Sequence, residues 1–230
     1  MIKLIFQLFI AHFLSDFIFQ NKKMCDKKVE SVFNKYHVFH FLIVLLLYYI
    51  SSLDFNFGFA ALILAISHSL TDMGKSYLIK KNPDKDYFFL DQTVHLITII
   101  VVIMIYFKIN DYAPIFDIKT RYVAMILGFI FCSKPSNIII KYLLRAFDIK
   151  TNNEENKLTI PNAGKLIGIS ERYLALILII VGSYEAVGLI IAAKSVLRIN
   201  SHQESEYILV GTLLSFGIAI FSGLIINYIS

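Results

Sequence analysis

Charge is scarce in this chain. Asp, Glu, Lys and Arg make up 17% of its 230 residues and apolar residues 57%, where soluble domains average about 25% and roughly 45–50%. A water-soluble core cannot absorb that excess, so an ordinary soluble domain is excluded. Cysteine is limited to Cys25, in an expected cytosolic loop, and Cys132, in an expected membrane span. Neither has an oxidising compartment or a partner, which excludes a disulfide framework. Pro/Gly/Ser-rich stretches are missing too, so no flexible linker of that kind divides the chain. The N-terminal apolar run lacks a small-x-small cleavage site and carries Lys3, His12 and Asp16. It is expected to remain as a first span and not to leave as a signal peptide.

What the chain has instead is a series of apolar runs near the 20 or so residues that cross roughly 30 Å of hydrocarbon as a helix. They fall at about 2–20, 36–53, 57–80, 88–107, 121–145, 164–183, 185–199 and 206–229. The fold read from them is all-α: a polytopic transmembrane helical bundle of about eight helices. A formal charge of +5 is compatible with a nucleic-acid partner, but its distribution reports topology, and no nucleic-acid partner is expected. Lys22, Lys23, Lys27, Lys28 and Lys35 crowd the first connection, and Lys75, Lys80, Lys81 and Lys85 the third. Lys141, Arg145, Lys150, Lys157 and Lys165 flank or occupy the fifth, and Lys194 and Arg198 the seventh. The second and sixth have neither Lys nor Arg; the fourth, with Lys108, Lys119 and Arg121, dissents. The positive-inside rule then puts the odd connections in the cytosol and both termini outside. The polar stretch 148–162 reads as a cytosolic linker between an N-terminal bundle, 1–147, and a C-terminal three-helix segment, 163–230.

The N-terminal half repeats itself. Residues 11–17 and 67–73 both read small-His-x-Leu-(Ser/Thr)-Asp-apolar, with His12 and Asp16 in one copy and His68 and Asp72 in the other. Each is followed by a Lys-rich connection and a helix that opens on a polar pair, His37 with His40 or Asp91 with His95. The spacing is 28 residues from His12 to His40 and 27 from His68 to His95, so a two-helix module is duplicated over roughly 5–50 and 61–105. Residues three or four apart share a helix face. All eight side chains should therefore converge at one depth, in the cytosolic half of the membrane. Five of the six histidines belong to this set; the sixth, His202, is in the last connection.

An Asp near the centre of a span costs about 2.5–3.5 kcal/mol on insertion scales, and such groups pair or line a functional cavity. A metal ion supplies a reason for three of them. Imidazole with carboxylate suits Zn, Fe or Mn, and helical bundles build two-metal sites from acidic and His ligands on facing helices. The candidate ligands are His12, Asp16, His37, His40, His68, Asp72, Asp91 and His95, for a divalent transition metal, two ions by the symmetry of the repeat. A single His-x-x-x-Asp pair is more often a hydrogen bond between helices; the duplication is what favours a metal over a proton relay or a structural network. Beyond the repeat, Lys134-Pro135 inside the fifth run could aim a cation at an anionic substrate from a kinked helix, or simply snorkel. Glu171, Arg172, Glu185, Lys194 and Arg198 are expected to neutralise one another, and Gly164-x-x-x-Gly168 fits a close helix contact.

Residues 11–20, Ser67-His68 through Asp72, and Asp91-Gln92-x-x-His95 resemble the bacterial membrane-protein family 3307 of the domains of unknown function. Segments 164–172, 184–198 and 206–212 resemble its members as well, so the likeness runs over nearly the whole chain. The His/Asp pattern is also similar to the YdjM-type membrane-bound metal-dependent hydrolases. These resemblances imply a bacterial inner-membrane location and metal-dependent hydrolysis. With the residue pattern they give the functional expectation: a membrane-embedded hydrolase acting at the cytosolic leaflet on a phosphorylated or ester-bearing lipid. Asp91 would serve as general base, Lys134 as anion clamp, and Gln20 and Gln92 as groups that orient the ligands. The alternatives are a metal- or proton-coupled carrier using the same residues, and a non-catalytic membrane partner of a cytosolic protein. The partners expected are the bilayer and a lipid-type substrate; no oligomeric state is read from the sequence.

Overall fold

A computed structural model describes residues 1–31, 33–147, 163–198 and 205–229. The expected linker 148–162 and His202 lie outside the described residues. Secondary structure among the described residues is helical, with no strand. The α-helices are α1 (Ile2–Phe13), α2 (Lys22–Glu30), α3 (Lys35–Ser52), α4 (Gly58–Lys81), α5 (Phe88–Ile109), α6 (Thr120–Cys132), α7 (Lys134–Ala146), α8 (Ala163–Ile180), α9 (Tyr184–Arg198) and α10 (Ser205–Tyr228). A π-helical turn, Leu14–Phe19, continues α1, and a 3-10 turn, Phe55–Phe57, precedes α4.

The chain is a polytopic transmembrane helical bundle. Segments Ile2–Phe19, Lys35–Ser52, Phe55–Lys81, Phe88–Ile109 and Leu209–Tyr228 are long and apolar enough to cross a membrane. The pair α6 and α7, bent by 49° at its break, makes a sixth if taken as one broken span. The other two expected spans are helices as well, but α8 carries Lys165, Glu171 and Arg172, and α9 has only 15 residues.

The chain divides into two compact units, Met1–Val123 and Ala124–Ser230. In the first, α1, α3, α4 and α5 form a closed four-helix ring in which α1 touches α3 and α5, and α4 touches α3 and α5. The two copies of the repeated module thus face each other across the ring. Each helix turns one stripe inward at helical spacing: Leu4, Leu8 and Ala11 on α1; Val44 and Tyr48 on α3; Ala61, Leu64 and Ala65 on α4; Ile99, Ile103 and Tyr106 on α5. Ala60, Ala61 and Ala65 leave room for backbones to approach, since association in lipid depends on packing and not on expulsion of water. These stripes do not stop at the apolar core. Continued along the same faces they reach His12, then His37 and His40, then His68 and Asp72, then Asp91 and His95, all buried. The fold therefore gathers the polar residues at the end of the bundle where α1 and α4 finish and α3 and α5 begin.

That end is covered by α2, a short helix inside what the sequence presents as a loop. Asn21 caps it by accepting from Met24 N at 2.9 Å, and only Met24 and Lys28 on it are buried, one turn apart against α3 and α4. Asn34 starts α3 by accepting from Tyr36 N and His37 N, while its amide donates to Lys27 O at 2.6 Å and ties α2 to α3.

In the second unit the fifth run breaks at Ser133 instead of kinking smoothly. Pro135 in the first turn of α7 cannot donate to the carbonyl four residues earlier, Phe131 O. The hydroxyl of Ser136 takes that role at 2.5 Å. Arg172, buried on α8, donates to Cys132 O at 2.6 Å, Ser133 O at 3.3 Å, Asn137 Oδ1 at 2.6 Å and Ser215 Oγ at 2.9 Å. The freed end of α6 is thus supplied with donors, as broken helices at membrane depth require. Glu171 pairs with Lys194. Glu185 is exposed, so the expected mutual neutralisation holds for Glu171 and Lys194, while Arg172 serves the backbone.

Candidate metal centre

Three ligand groups form at the polar end of the first unit: His12, Asp16 and His68; His40, His68 and Asp72; and Asp72, Asp91 and His95. Within each, the ligand atoms lie within 4.8 Å of one another. His68 belongs to two groups and Asp72 to two, so the groups are contiguous. At the centre, His40 Nε2 and His68 Nε2 are 3.0 Å apart, and Asp16 Oδ1 is 3.3 and 3.2 Å from them. Asp72 Oδ2 is 3.6 Å from His40 Nε2 and 3.9 Å from His68 Nε2, and its Oδ1 is 3.7 Å from His95 Nε2. Two atoms bound to one ion at about 2.0–2.2 Å take separations in this range.

The repeat appears as a pseudo-twofold relation. His95 packs on His12 with ring centroids 5.1 Å apart at 48°, and His40 packs on His68 at the same distance and angle. Each copy thus sets its second-helix imidazole against the other copy's first-helix imidazole. The relation breaks in two places. His68 stacks on His95 with centroids 4.0 Å apart. Asp16 sits on the π-helical turn whereas Asp72 sits on a regular α-helix; such turns recur at functional sites because they re-aim a side chain. Ser15 steadies this one, its hydroxyl lying 2.8 Å from His12 O and 3.2 Å from Asp16 Oδ1.

Gln92 settles a tautomer. Its amide nitrogen is 3.4 Å from Asp16 Oδ2 and 3.1 Å from Asp91 Oδ2, acceptors both, so its oxygen must face His12 Nε2 at 3.1 Å. The network therefore puts the His12 proton on Nε2 and a lone pair on Nδ1. That Nδ1 is buried without a hydrogen-bond partner, 4.0 Å from Asp16 Oδ2. His40 Nδ1 and His68 Nδ1 are likewise buried and unpartnered. His95 Nε2 and Asp91 Oδ1 are 3.4 Å apart yet make no aligned hydrogen bond. Buried polar atoms are seldom left so, and a donor set of imidazole and carboxylate with spare lone pairs fits a metal ion.

Seven of the eight candidate ligands fall into the groups. His37 does not: it is buried, stacks on Phe33 and has Nδ1 3.3 Å from Asn34 Oδ1. Gln20 makes no hydrogen bond to the cluster among the described residues. Lys134 is exposed at the start of α7 in the other unit. Two members were missed. Lys28 Nζ reaches from α2 to Asp72 Oδ2 at 2.5 Å, and Lys75 Nζ meets Asp91 Oδ2 at 2.7 Å. Lys75 had a signal, standing three residues after Asp72 on the same helix face; Lys28 acts across 44 residues and had none.

A family model described as a protein of unknown function, DUF3307, matches residues 4–123. The chain belongs to that family. The matched stretch coincides with the first compact unit and holds all eight candidate ligands together with Lys28, Lys75 and Gln92. Segments 164–172, 184–198 and 206–212 lie beyond it, so the family match is shorter than the resemblance along the whole chain suggests. No curated protein and no solved structure matches the chain.

Proposed function

We propose that this member of DUF3307 is a membrane-embedded metal-dependent hydrolase acting on a phosphorylated or ester-bearing lipid at the cytosolic leaflet of a bacterial inner membrane. The observation that carries this reading is the set of contiguous ligand groups sharing His68 and Asp72, with the His12 Nδ1 lone pair buried among them. His12, Asp16, His40, His68, Asp72, Asp91 and His95 would hold two divalent ions, with His68 and Asp72 each common to two of the ligand groups. When bound, such ions supply Lewis acidity toward a water and toward the scissile oxygen. The chain's own groups do the rest. Gln92 holds the His12 tautomer through Nε2. In this structure Asp91 Oδ2 accepts from Gln92 and Lys75 while Oδ1 has no aligned hydrogen bond, and Oδ1 would be the oxygen that takes a proton from water. α2 covers the cluster against bulk solvent. In this reading the Lys-rich connections face the cytosol and both termini lie outside.

The test is metal content and hydrolysis measured together on detergent-purified protein. A bound transition metal, with phosphatase or esterase activity that falls with it, supports the reading. Metal without hydrolysis of either substrate class removes the enzyme and leaves a metal-binding protein. The carrier alternative draws on the break between α6 and α7, since discontinuous helices are a feature of carriers; ion flux into proteoliposomes would favour it.

A further inference from the structure

Lys28 and Lys75 are the residues of the cluster that a metal centre does not explain. Lys28 is buried, and Lys75 is about a third exposed, its side chain at 31%. Each ammonium takes one carboxylate oxygen that a metal would also want: Asp72 Oδ2 and Asp91 Oδ2. Imidazoles that ligate a metal are neutral, so in a loaded site the fixed charges of the chain are three carboxylates and two ammoniums, a sum of one negative charge. Two divalent ions would turn that into an excess of three positive charges. An excess of that size at membrane depth is costly unless an anion accompanies it. Binding of the ions would also draw Asp72 and Asp91 toward metal and leave both ammoniums without acceptors. The groups best placed to receive an anion are then the same two lysines.

Resting on the metal-site reading above, we propose that Lys28 and Lys75 form an anion clamp that takes a phosphate monoester group, and that the substrate class is a phosphomonoester in place of a carboxylic ester. A phosphate dianion offsets two of the three surplus charges and offers acceptor oxygens to both ammoniums. A neutral carboxylic ester offsets none. The partial exposure of Lys75 puts the point of entry on its side of the cluster, and Lys28 closes the site from α2. Lys134, expected from the sequence to hold the anion, belongs to the other compact unit.

The experiment uses the full chain in detergent, metal-free or loaded with manganese and freed of excess ion, and titrates it with inorganic phosphate. Metal content is measured on every sample. The loaded protein should bind phosphate and the metal-free protein should not, because its lysines are held by Asp72 and Asp91. K28M and K75M should keep their metal yet bind phosphate roughly 10- to 100-fold more weakly, the loss expected for a charge-assisted hydrogen bond, and K28R should recover most of it. Vesicles of phosphatidylcholine with and without phosphatidate separate the sources. Competition by phosphatidate assigns the clamp to a lipid headgroup, and its absence with phosphate binding intact assigns it to a soluble phosphate. Unchanged phosphate affinity in K28M and K75M overturns the clamp while leaving the metal site standing. Absence of metal from the wild type overturns the metal site itself. If the methionine variants fail to fold, the wild type decides: equal phosphate binding with and without metal, or none in either form, contradicts the clamp.

Discussion

The two ends of the four-helix ring are built from the same inward stripes and are equally buried, yet they treat their polar groups in opposite ways. At the end away from the histidines, Asp54 is buried and each of its oxygens has donors: Asn56 N at 2.9 Å on one, Tyr106 Oη at 2.8 Å and Ala113 N at 3.3 Å on the other. Tyr112 Oη stands 3.0 Å from Gln7 Oε1 and 3.1 Å from Ser52 O, so the segment after α5 is fastened over the helix ends. At the other end, acceptors and lone pairs face one another and several imidazole nitrogens have no partner. The first arrangement is what a fold needs in order to close. The second leaves buried polar atoms unpaired, which costs stability and which a bound cation, in the reading proposed above, would offset.

The contrast can be broken from either end. The largest effect should follow Asp72→Ala, which removes a carboxylate shared by two ligand groups. Metal affinity should fall more than about 100-fold, beyond the loss typical of a merely orienting residue, as read by metal content after dialysis. Next comes the second unit, where Arg172 serves only the protein. Arg172→Met removes the guanidinium donors from the carbonyls of Cys132 and Ser133, and thermal or denaturant unfolding should show a loss on the order of 3 kcal/mol with metal per folded molecule unchanged. Tyr106→Phe removes one donor from Asp54 and should cost about 1–3 kcal/mol, again without touching metal. The smallest effect belongs to Asp117. Its exposed carboxyl is held below the usual carboxylate range by the Lys3 ammonium 2.7 Å away. Any stability from that pair is present at neutral pH and lost as the pH falls through the lowered value. Asp117→Asn should leave the melting temperature at pH 7 almost unmoved.

Much of the site was legible because helical spacing and membrane cost act on the sequence directly. His12 with Asp16, and His68 with Asp72, share a face by spacing alone; duplication told them from incidental pairs. What spacing could not supply was anything that depends on chain crossing. Lys28 counted as one more cytosolic charge, because nothing local shows that a nine-residue helix turns it inward onto Asp72. His37, one turn before His40, is expected from spacing as a ligand or as a group that supports one; it falls outside the three ligand groups, with Nδ1 beside Asn34 and a buried Nε2 that has no hydrogen-bond partner. The π-helical turn under Asp16 has no signature in its apolar residues. Pro135 did announce a disturbance in the fifth run, but the break with its 49° bend depends on Arg172 and Ser136 to satisfy the carbonyls. The ends of α8 and α9 were drawn from hydropathy, which is diluted there by Lys165, Glu171, Arg172 and Lys194.

The most direct test is elemental analysis of the wild-type protein, purified in detergent after growth with Zn, Fe and Mn all supplied, beside Asp72→Ala and Arg172→Met prepared identically. Two equivalents of a transition metal in the wild type and in Arg172→Met, with most of it gone from Asp72→Ala, is the expected result. A wild type that carries no transition metal, or an Asp72→Ala that keeps the full complement, would mean the histidines and aspartates at that end form a self-contained polar network and hold no metal.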